Sequence, residues 1–247
     1  MKAAVFTRYG GPEVVSILEQ PKPAVGPKDV LIRTHATTVN SGDSRIRGMR
    51  VPAGFVPMVR LMFGIFGPRR RSQVLGSSLA GEIVEVGEAV SRYEVGQRVV
   101  ASMPKSTGAH AQFVSLPEDG AIAIVPDGVR MEDAASVLFG GHTAQYFLEE
   151  LGSIQSGEKV LVNGASGSVG AALVQFAVYH GATVTCVCSG KNAALVRELG
   201  AAQVIDYTEV HFLDTCAPGD YDKVVDCVGN LNWHDVRKGL SAQGMFL

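Results

Sequence analysis

Cysteine is scarce in this 247-residue chain: only Cys186, Cys188, Cys216 and Cys227 occur, and none precedes position 186. They form no CxxC pair. That excludes a disulfide framework and a paired-thiolate zinc spacing, and it leaves reduced thiols as the expectation. The six histidines (His35, His110, His142, His180, His211 and His234) show no HxxxH or HxH spacing and read as structural or surface residues. Neither sign of charge dominates. With 22 Lys and Arg against 24 Asp and Glu, the net charge is −2, which excludes a general polyanion grip on nucleic acid. Long apolar runs are also missing: the longest, Phe55 to Gly67, is interrupted by Arg60 and falls short of the ~20 residues that span a bilayer. The opening MKAAVFTRYGG is too short an apolar run for a signal peptide, so the expected location is cytoplasmic. No repeat or low-complexity tract stands out.

What remains is a globular composition, 46% hydrophobic and 19% charged with 29 glycines, which excludes disorder and collagen-like repeats. The length allows one large or two medium domains. Up to about Asp127 the pattern is short β-branched runs broken by Gly and Pro: KAAVF, VVSIL, DVLIRTHATTV, GEIVEVG, QRVVASM, HAQFVSL and AIAIV. Such spacing predicts an antiparallel barrel or sandwich. From Met131 onward, apolar strands (KVLVNGA, TVTCVCS, QVIDY, KVVDCVG) alternate with helical stretches, predicting a parallel sheet covered on both faces. The boundary falls at the Pro126-Asp127-Gly128 turn, giving domains 1–127 and 128–247.

Between the early strands, the segment from Arg45 to Ser72 carries Phe55, Val59, Met62 and Phe66 at helical spacing and ends in the run Arg69, Arg70, Arg71. A membrane-surface helix is one reading. The polar face has few Lys or Arg before the terminal run, so a loop or helix packing over a cleft is the favoured one.

The most specific local signal begins at Lys159. An apolar strand runs into Gly164, Ala165, Ser166, Gly167, Ser168, Val169 and Gly170, and that turn opens a small-residue helix. A dinucleotide-binding turn requires this context: glycines let a pyrophosphate approach the backbone, and the helix start offers free N–H groups. The spacing is GxxGxxG rather than GxGxxG, and a tight packing turn is the competing reading. About 20 residues further on, where an NAD site places an acid, the sequence reads Ser189, Gly190, Lys191, Asn192. Hydroxyl, amide and ammonium groups suit a 2′-phosphate that a carboxylate would repel, so the expected cofactor is NADPH, with NADH less favoured. Lys191 as a merely solvated helix-start residue is the alternative.

Residues along nearly the whole chain resemble the medium-chain dehydrogenase/reductase superfamily, in its zinc-free quinone oxidoreductase-like branch. The marks are KAAVFTRYGGPEVV, Val39-Asn40-Ser-Gly-Asp43-Ser-Arg45-Ile-Arg47, Gly76-Ser-Ser-Leu-Ala80-Gly81-Glu-Ile-Val-Glu-Val-Gly87 and Tyr93-Glu-Val-Gly96. Gly108-Ala-His-Ala111-Gln112, Gly140-Gly-His-Thr143-Ala, the glycine turn, Val204-Ile-Asp-Tyr207 and Asp226-Cys-Val-Gly229 follow in order. The resemblance implies an α/β architecture with a β-barrel: a GroES-like N-terminal domain, then a Rossmann doubly wound parallel sheet, with the active site in the cleft between them. Zinc-dependent members carry Cys or Asp early and a Gly-His-Glu motif; here Gly76-Ser77-Ser78 stands in that place, so no zinc is expected.

By the same resemblance Asn40 and Thr143 border the nicotinamide, Asp43 orders the loop or the substrate side, Tyr207 lies near the adenosine phosphate, and Val228 with Gly229 follows the ribose. Asp43 as the cap of a helix beginning at Ser44 is the alternative. The activity implied is zinc-independent, NADPH-dependent hydride transfer to a quinone or an activated α,β-unsaturated carbonyl. An enoyl-thioester reductase and a non-catalytic NADPH-binding or truncated protein are the alternatives. Two departures stand out. The Gly-x-x-Ala-Glu element reads Ala111-Gln112 here, and members of the family continue past Leu247 with a further strand and the segment completing the barrel. Their homodimer forms through a sheet edge that would be incomplete here, so an exposed apolar edge at Met245, Phe246 and Leu247 is expected.

Overall fold

The structure, a computed structural model, describes residues 1–103 and 107–247. The chain divides into two compact units, Met1–Leu138 and Phe139–Leu247.

In the first unit, β1 (Lys2–Phe6) and β2 (Val15–Glu19) form an antiparallel hairpin. β3 (Asp29–Thr37) is followed by two short helices, α1 (Ser41–Gly48) and α2 (Val56–Phe63). Then come β4 (Ser78–Val86), β5 (Arg98–Ser102), β6 (Phe113–Pro117) and β7 (Ala121–Ile124). Five of these strands make one antiparallel sheet in the order β6-β3-β4-β5-β7. The β-branched runs thus form the antiparallel strands expected of them, in the GroES-like arrangement that the resemblance implied. Alternating residues of β5 are buried, and Val30, Ile32, Leu79, Ile83 and Val99 make the inner face. Gly81 is required where β3 and β4 meet, because a Cβ there would lie 2.3 Å from the Arg33 carbonyl oxygen.

α3 (Met131–Gln145) leads into the second unit, where β8 (Lys159–Asn163), α4 (Ser168–Tyr179), β9 (Thr183–Cys188), α5 (Ala193–Glu198), β10 (Gln203–Asp206), α6 (Phe212–Thr215), β11 (Tyr221–Asp226), α7 (Trp233–Val236) and β12 (Leu240–Phe246) follow in turn. The five strands are parallel, in the order β10-β9-β8-β11-β12. That is the doubly wound arrangement: the strand order reverses between β8 and β11, and crevices form at the carboxyl ends there. β8 and β9 are buried at every position after their first, as strands covered on both faces must be.

Three local expectations change. Asp43 does not cap a helix at Ser44; α1 starts at Ser41, and Asn40 is its cap. At the chain's end only Met245, 37% accessible, is an exposed apolar residue; Phe246 and Leu247 are half-buried against the two core clusters of the second unit. Between Arg45 and Ser72 a helix does form, yet α2 buries none of its residues. Side chains at Ala53 and Arg71, the latter part of the terminal arginine run, lie outside the description.

Candidate cofactor and active site

The turn after β8 is built by backbone geometry that only small residues permit. Gly164 has φ +79, and a Cβ there would lie 2.7 Å from Val228 Cγ2. The N–H groups of Gly164 and Ala165 both donate to the Val187 carbonyl oxygen, at 3.0 and 3.1 Å, tying the turn to β9. A Cβ on Gly170 would lie 2.3 Å from the Gly164 carbonyl oxygen, so this glycine lets α4 start directly on the turn. Gly140, in α3, is held to the same requirement by Ser168, whose carbonyl oxygen would be 2.4 Å from its Cβ.

Gly167 differs from these. Its φ is −78, and the nearest atom to an added Cβ is 3.4 Å away, an ordinary contact. Neither strain nor packing within the chain demands a glycine there. As the N-cap of α4 it also supplies no side-chain acceptor to the first turn, whose N–H groups therefore keep their capacity for an anion. A bare, uncapped amide end fits a pyrophosphate that must come close to the backbone. Ser168 and Val169 complete that first turn, Ser168 exposed and Val169 packed against the core cluster.

Of the other expected cofactor residues in the second unit, Asn192 is bonded to this turn and Val228 lies beside Gly164. Asn192 Nδ2 donates to Ser166 Oγ at 3.0 Å and to Ser189 Oγ at 3.3 Å, joining the turn to the loop after β9. Lys191 stands exposed between Ser189 and Asn192. Tyr207 follows β10, 61% accessible, with its N–H on the Cys188 carbonyl oxygen at 3.3 Å. Val228, exposed, and Gly229, at φ +80, follow β11. Ser189, Tyr207 and Val228 thus sit just past the carboxyl ends of β9, β10 and β11, with Gly164 just past β8. Thr143 is separate: it is half-buried in α3, one turn beyond Gly140, and its hydroxyl donates to the Phe139 carbonyl oxygen at 2.7 Å.

Two carboxylates that hold these loops escaped the sequence reading as site residues. Asp226 accepts from the N–H groups of Val228, Gly229 and Leu231 and from Asn163 Nδ2, all at 2.9 to 3.0 Å. Burial opposes its charge, but the Leu231, Val228 and Gly229 amides outweigh it and hold the pKa below the ordinary carboxylate value. Asp206 accepts from the Thr208 hydroxyl at 2.7 Å and from the Thr208 N–H at 2.9 Å, and Gly190 N–H also donates to it; these bonds lower its pKa. The signals were present as Asp-x-Val-Gly and Asp-x-Thr, the usual spacing of Asp side chains bonding backbone two residues on. By contrast, burial pushes the Cys186 and Cys227 thiols up to about 12, which leaves them protonated and inert.

In the first unit Asn40 and Asp43 form a reciprocal capping box. Asn40 Oδ1 accepts from the Gly42 and Asp43 N–H groups at 2.8 and 3.3 Å, and Asp43 Oδ2 accepts from the Asn40 N–H at 3.0 Å. Asp43, only 4% accessible, spends its other oxygen on the Gly76 N–H at 2.9 Å, and Asn40 Nδ2 reaches Ser77 Oγ at 3.3 Å. The box therefore fastens α1 to the Gly76-Ser77 turn before β4. His110 Nε2 lies 3.9 Å from Asp43 and 3.0 Å from the Thr38 carbonyl oxygen. Asp43, His110, Thr37, Val39 and Leu75 line a cavity of about 460 Å³. The donors at Asn40, Ser77 and Asp43 do not fit a zinc ion: both Asp43 oxygens are engaged by backbone N–H groups, and the first unit's sequence contains no cysteine. Among the described residues no group of three or more His, Cys, Asp or Glu could hold a metal ion. Gln112, where an acid was expected, accepts from the Lys2 N–H at 2.7 Å.

Comparison with known proteins agrees with this geometry. A family profile described as alcohol dehydrogenase GroES-like domain matches residues 26–127, and one described as zinc-binding dehydrogenase matches residues 168–247. The chain is 31% identical to a quinone oxidoreductase of Pseudomonas aeruginosa over 100% of its own length and 72% of that protein. It is 30% identical to an NADPH-dependent alkenal/one oxidoreductase of Arabidopsis thaliana chloroplasts, covering 93% of this chain and 58% of the relative. The crystal structure of the Escherichia coli quinone oxidoreductase complexed with NADPH superposes with a TM-score of 0.84 at 26% identity, over 100% of this chain and 72% of that one. A glycine turn at the strand reversal, a GroES-like sheet and likenesses that span nearly all of this chain have one common explanation: the chain belongs to the medium-chain dehydrogenase/reductase superfamily, in its quinone oxidoreductase-like branch, and is an NAD(P)H-dependent oxidoreductase.

Proposed function

We propose that the chain binds NADPH in preference to NADH and reduces a quinone or an activated α,β-unsaturated carbonyl without a metal. The observation that carries this reading is the uncapped amide end of α4 at Gly167, with Ser166, Ser189 and Asn192 hydrogen-bonded beside it and Lys191 exposed next to them. In this reading the turn from Gly164 to Gly170 holds the pyrophosphate, and Ser189, Lys191 and Asn192 hold the 2′-phosphate. Tyr207 covers the adenosine phosphate side, Val228 and Gly229 follow the ribose, and Thr143 is the second unit's residue on the nicotinamide side.

When bound, NADPH supplies the hydride. A conjugated acceptor takes the developing negative charge onto its own oxygen, so the chain's contribution is alignment at near-attack distance, roughly 3–3.5 Å. Asn40 is suited to that work because the capping box fixes its Oδ1 and Ser77 takes one of its two Nδ2 hydrogens, leaving the other. Asp43 acts as a positioning residue through Asn40 and Gly76.

The test is loss of dihydronicotinamide absorbance with a panel of benzoquinones and enals. Turnover on either class, with Lys191→Ala lowering the preference for NADPH over NADH, supports the reading. Saturable NADPH binding with no turnover on any acceptor would show a cofactor-binding protein instead.

A further inference from the structure

Between Asp43 and Glu82 the sequence contains no acidic residue and no lysine, yet it holds seven of the chain's 22 basic residues, all arginine. In a chain of net charge −2 this is a concentrated cationic segment. Arg45, Arg50, Arg60, Arg69 and Arg70 are exposed, and among the described residues none of them pairs with a carboxylate; the arginine ion pairs lie at Arg33 and Arg130.

The same segment exposes apolar side chains. On α2, Val56, Val59 and Phe63 share one face and are half-buried, which is the face turned to the protein. Met58, Leu61 and Met62 lie on the opposite face, 50%, 64% and 57% accessible. Phe66 follows, fully in solvent. A helix anchored by one apolar face and bare on a second has no folding reason for the second. Tyr9 Oη donates to the Gly64 carbonyl oxygen at 2.7 Å, and Arg69 Nη2 donates to the Leu61 carbonyl oxygen at 2.7 Å, so the end of the helix is held in place.

We propose that residues 45–72 form a peripheral docking surface for an anionic phospholipid bilayer, with Met58, Leu61, Met62 and Phe66 entering the interfacial region and the arginines meeting the lipid phosphates. Charge selects this occupant. An apolar patch alone suits any partner, but arginines without a single carboxylate to orient a protein partner suit a diffuse sheet of negative charge. The contact lies on the surface only, since among the described residues no helix is long and apolar enough to cross a membrane.

The experiment is flotation of the full chain with phosphatidylcholine vesicles, with and without phosphatidylglycerol, at low and high salt. The expected result is co-flotation that depends on phosphatidylglycerol and weakens with salt, because screening shortens the reach of the arginines. Leu61→Gln combined with Phe66→Ser should reduce the bound fraction, as should Arg50→Glu combined with Arg70→Glu, each by about fivefold or more. All four side chains are exposed, so circular dichroism should show unchanged folding. The proposal is overturned if vesicles of either composition leave the protein unbound, or if neither double variant changes the bound fraction. It is also overturned if size-exclusion chromatography shows a dimer that Phe66→Ser dissociates, which would assign the face to a second copy.

Discussion

Asn192 Nδ2 donates to Ser166 Oγ at 3.0 Å, so a residue after β9 holds a residue of the turn after β8. The bond spans 26 positions of sequence and sets the width of the opening between the two loops. Replacing Asn192 by Ala removes it together with the bond to Ser189. The expected outcome is a KM for NADPH raised about fivefold, the effect of one or two modest hydrogen bonds, with kcat little changed. Steady-state kinetics with varied NADPH checks it; an equal fall in kcat would move Asn192 out of cofactor binding.

The glycines of the turn should separate by role. Gly170→Ala brings a methyl carbon to 2.3 Å from the Gly164 carbonyl oxygen and is expected to lower Tm, because α4 must move off the turn. Gly167→Ala meets nothing closer than 3.4 Å, so Tm should hold while NADPH affinity falls. Thermal melts and fluorescence titrations of both variants decide the matter. Unchanged NADPH affinity in Gly167→Ala would mean the turn serves packing alone.

Asp43 is buried and bonded to two backbone N–H groups, at Asn40 and Gly76. Asp43→Ala leaves both N–H groups without their acceptor and is expected to cost about 2–3 kcal/mol in urea unfolding. Asp43→Asn, which keeps one acceptor oxygen, should cost less. Wild-type stability in Asp43→Ala would leave this residue with no positioning role.

Acid should reveal the Asp226 turn. Its folded-state pKa is lowered by the Leu231, Val228 and Gly229 amides acting against burial, so the ionised form stabilises the fold above the ordinary carboxylate pKa. That contribution is lost as pH falls through the lowered folded value. Urea unfolding of the wild type and Asp226→Asn at several pH values is the measurement. The stability gap should be widest near neutrality and shrink in acid; a gap that widens in acid would contradict the assignment.

Much of the fold was legible because its signals are local. Apolar runs such as KVLVNGA and TVTCVCS became β8 and β9, and the switch from short β-branched runs broken by Gly and Pro to apolar strands alternating with helical stretches marked the change from antiparallel to parallel sheet. The glycine turn was readable for the same reason: strand, bare backbone and helix start lie within a dozen residues. The start of α1 was misplaced because Asp43 is a good cap by type, while the choice of Asn40 depends on both halves of a capping box.

Sequence by itself therefore determined the strand order along the chain, the parallel sheet and the glycine turn after β8, since backbone propensity, turn chemistry and apolar period act over a few residues. Tertiary structure alone decided which glycines the packing needs and that Gly167 is not one of them, and that Asp43 closes on Gly76. It also decided that Val228 lies beside Gly164 across the strand reversal and that α2 keeps an apolar face in solvent. Those outcomes rest on strand register and on contacts between residues far apart in the chain, where distance and burial, rather than residue type, select the partner.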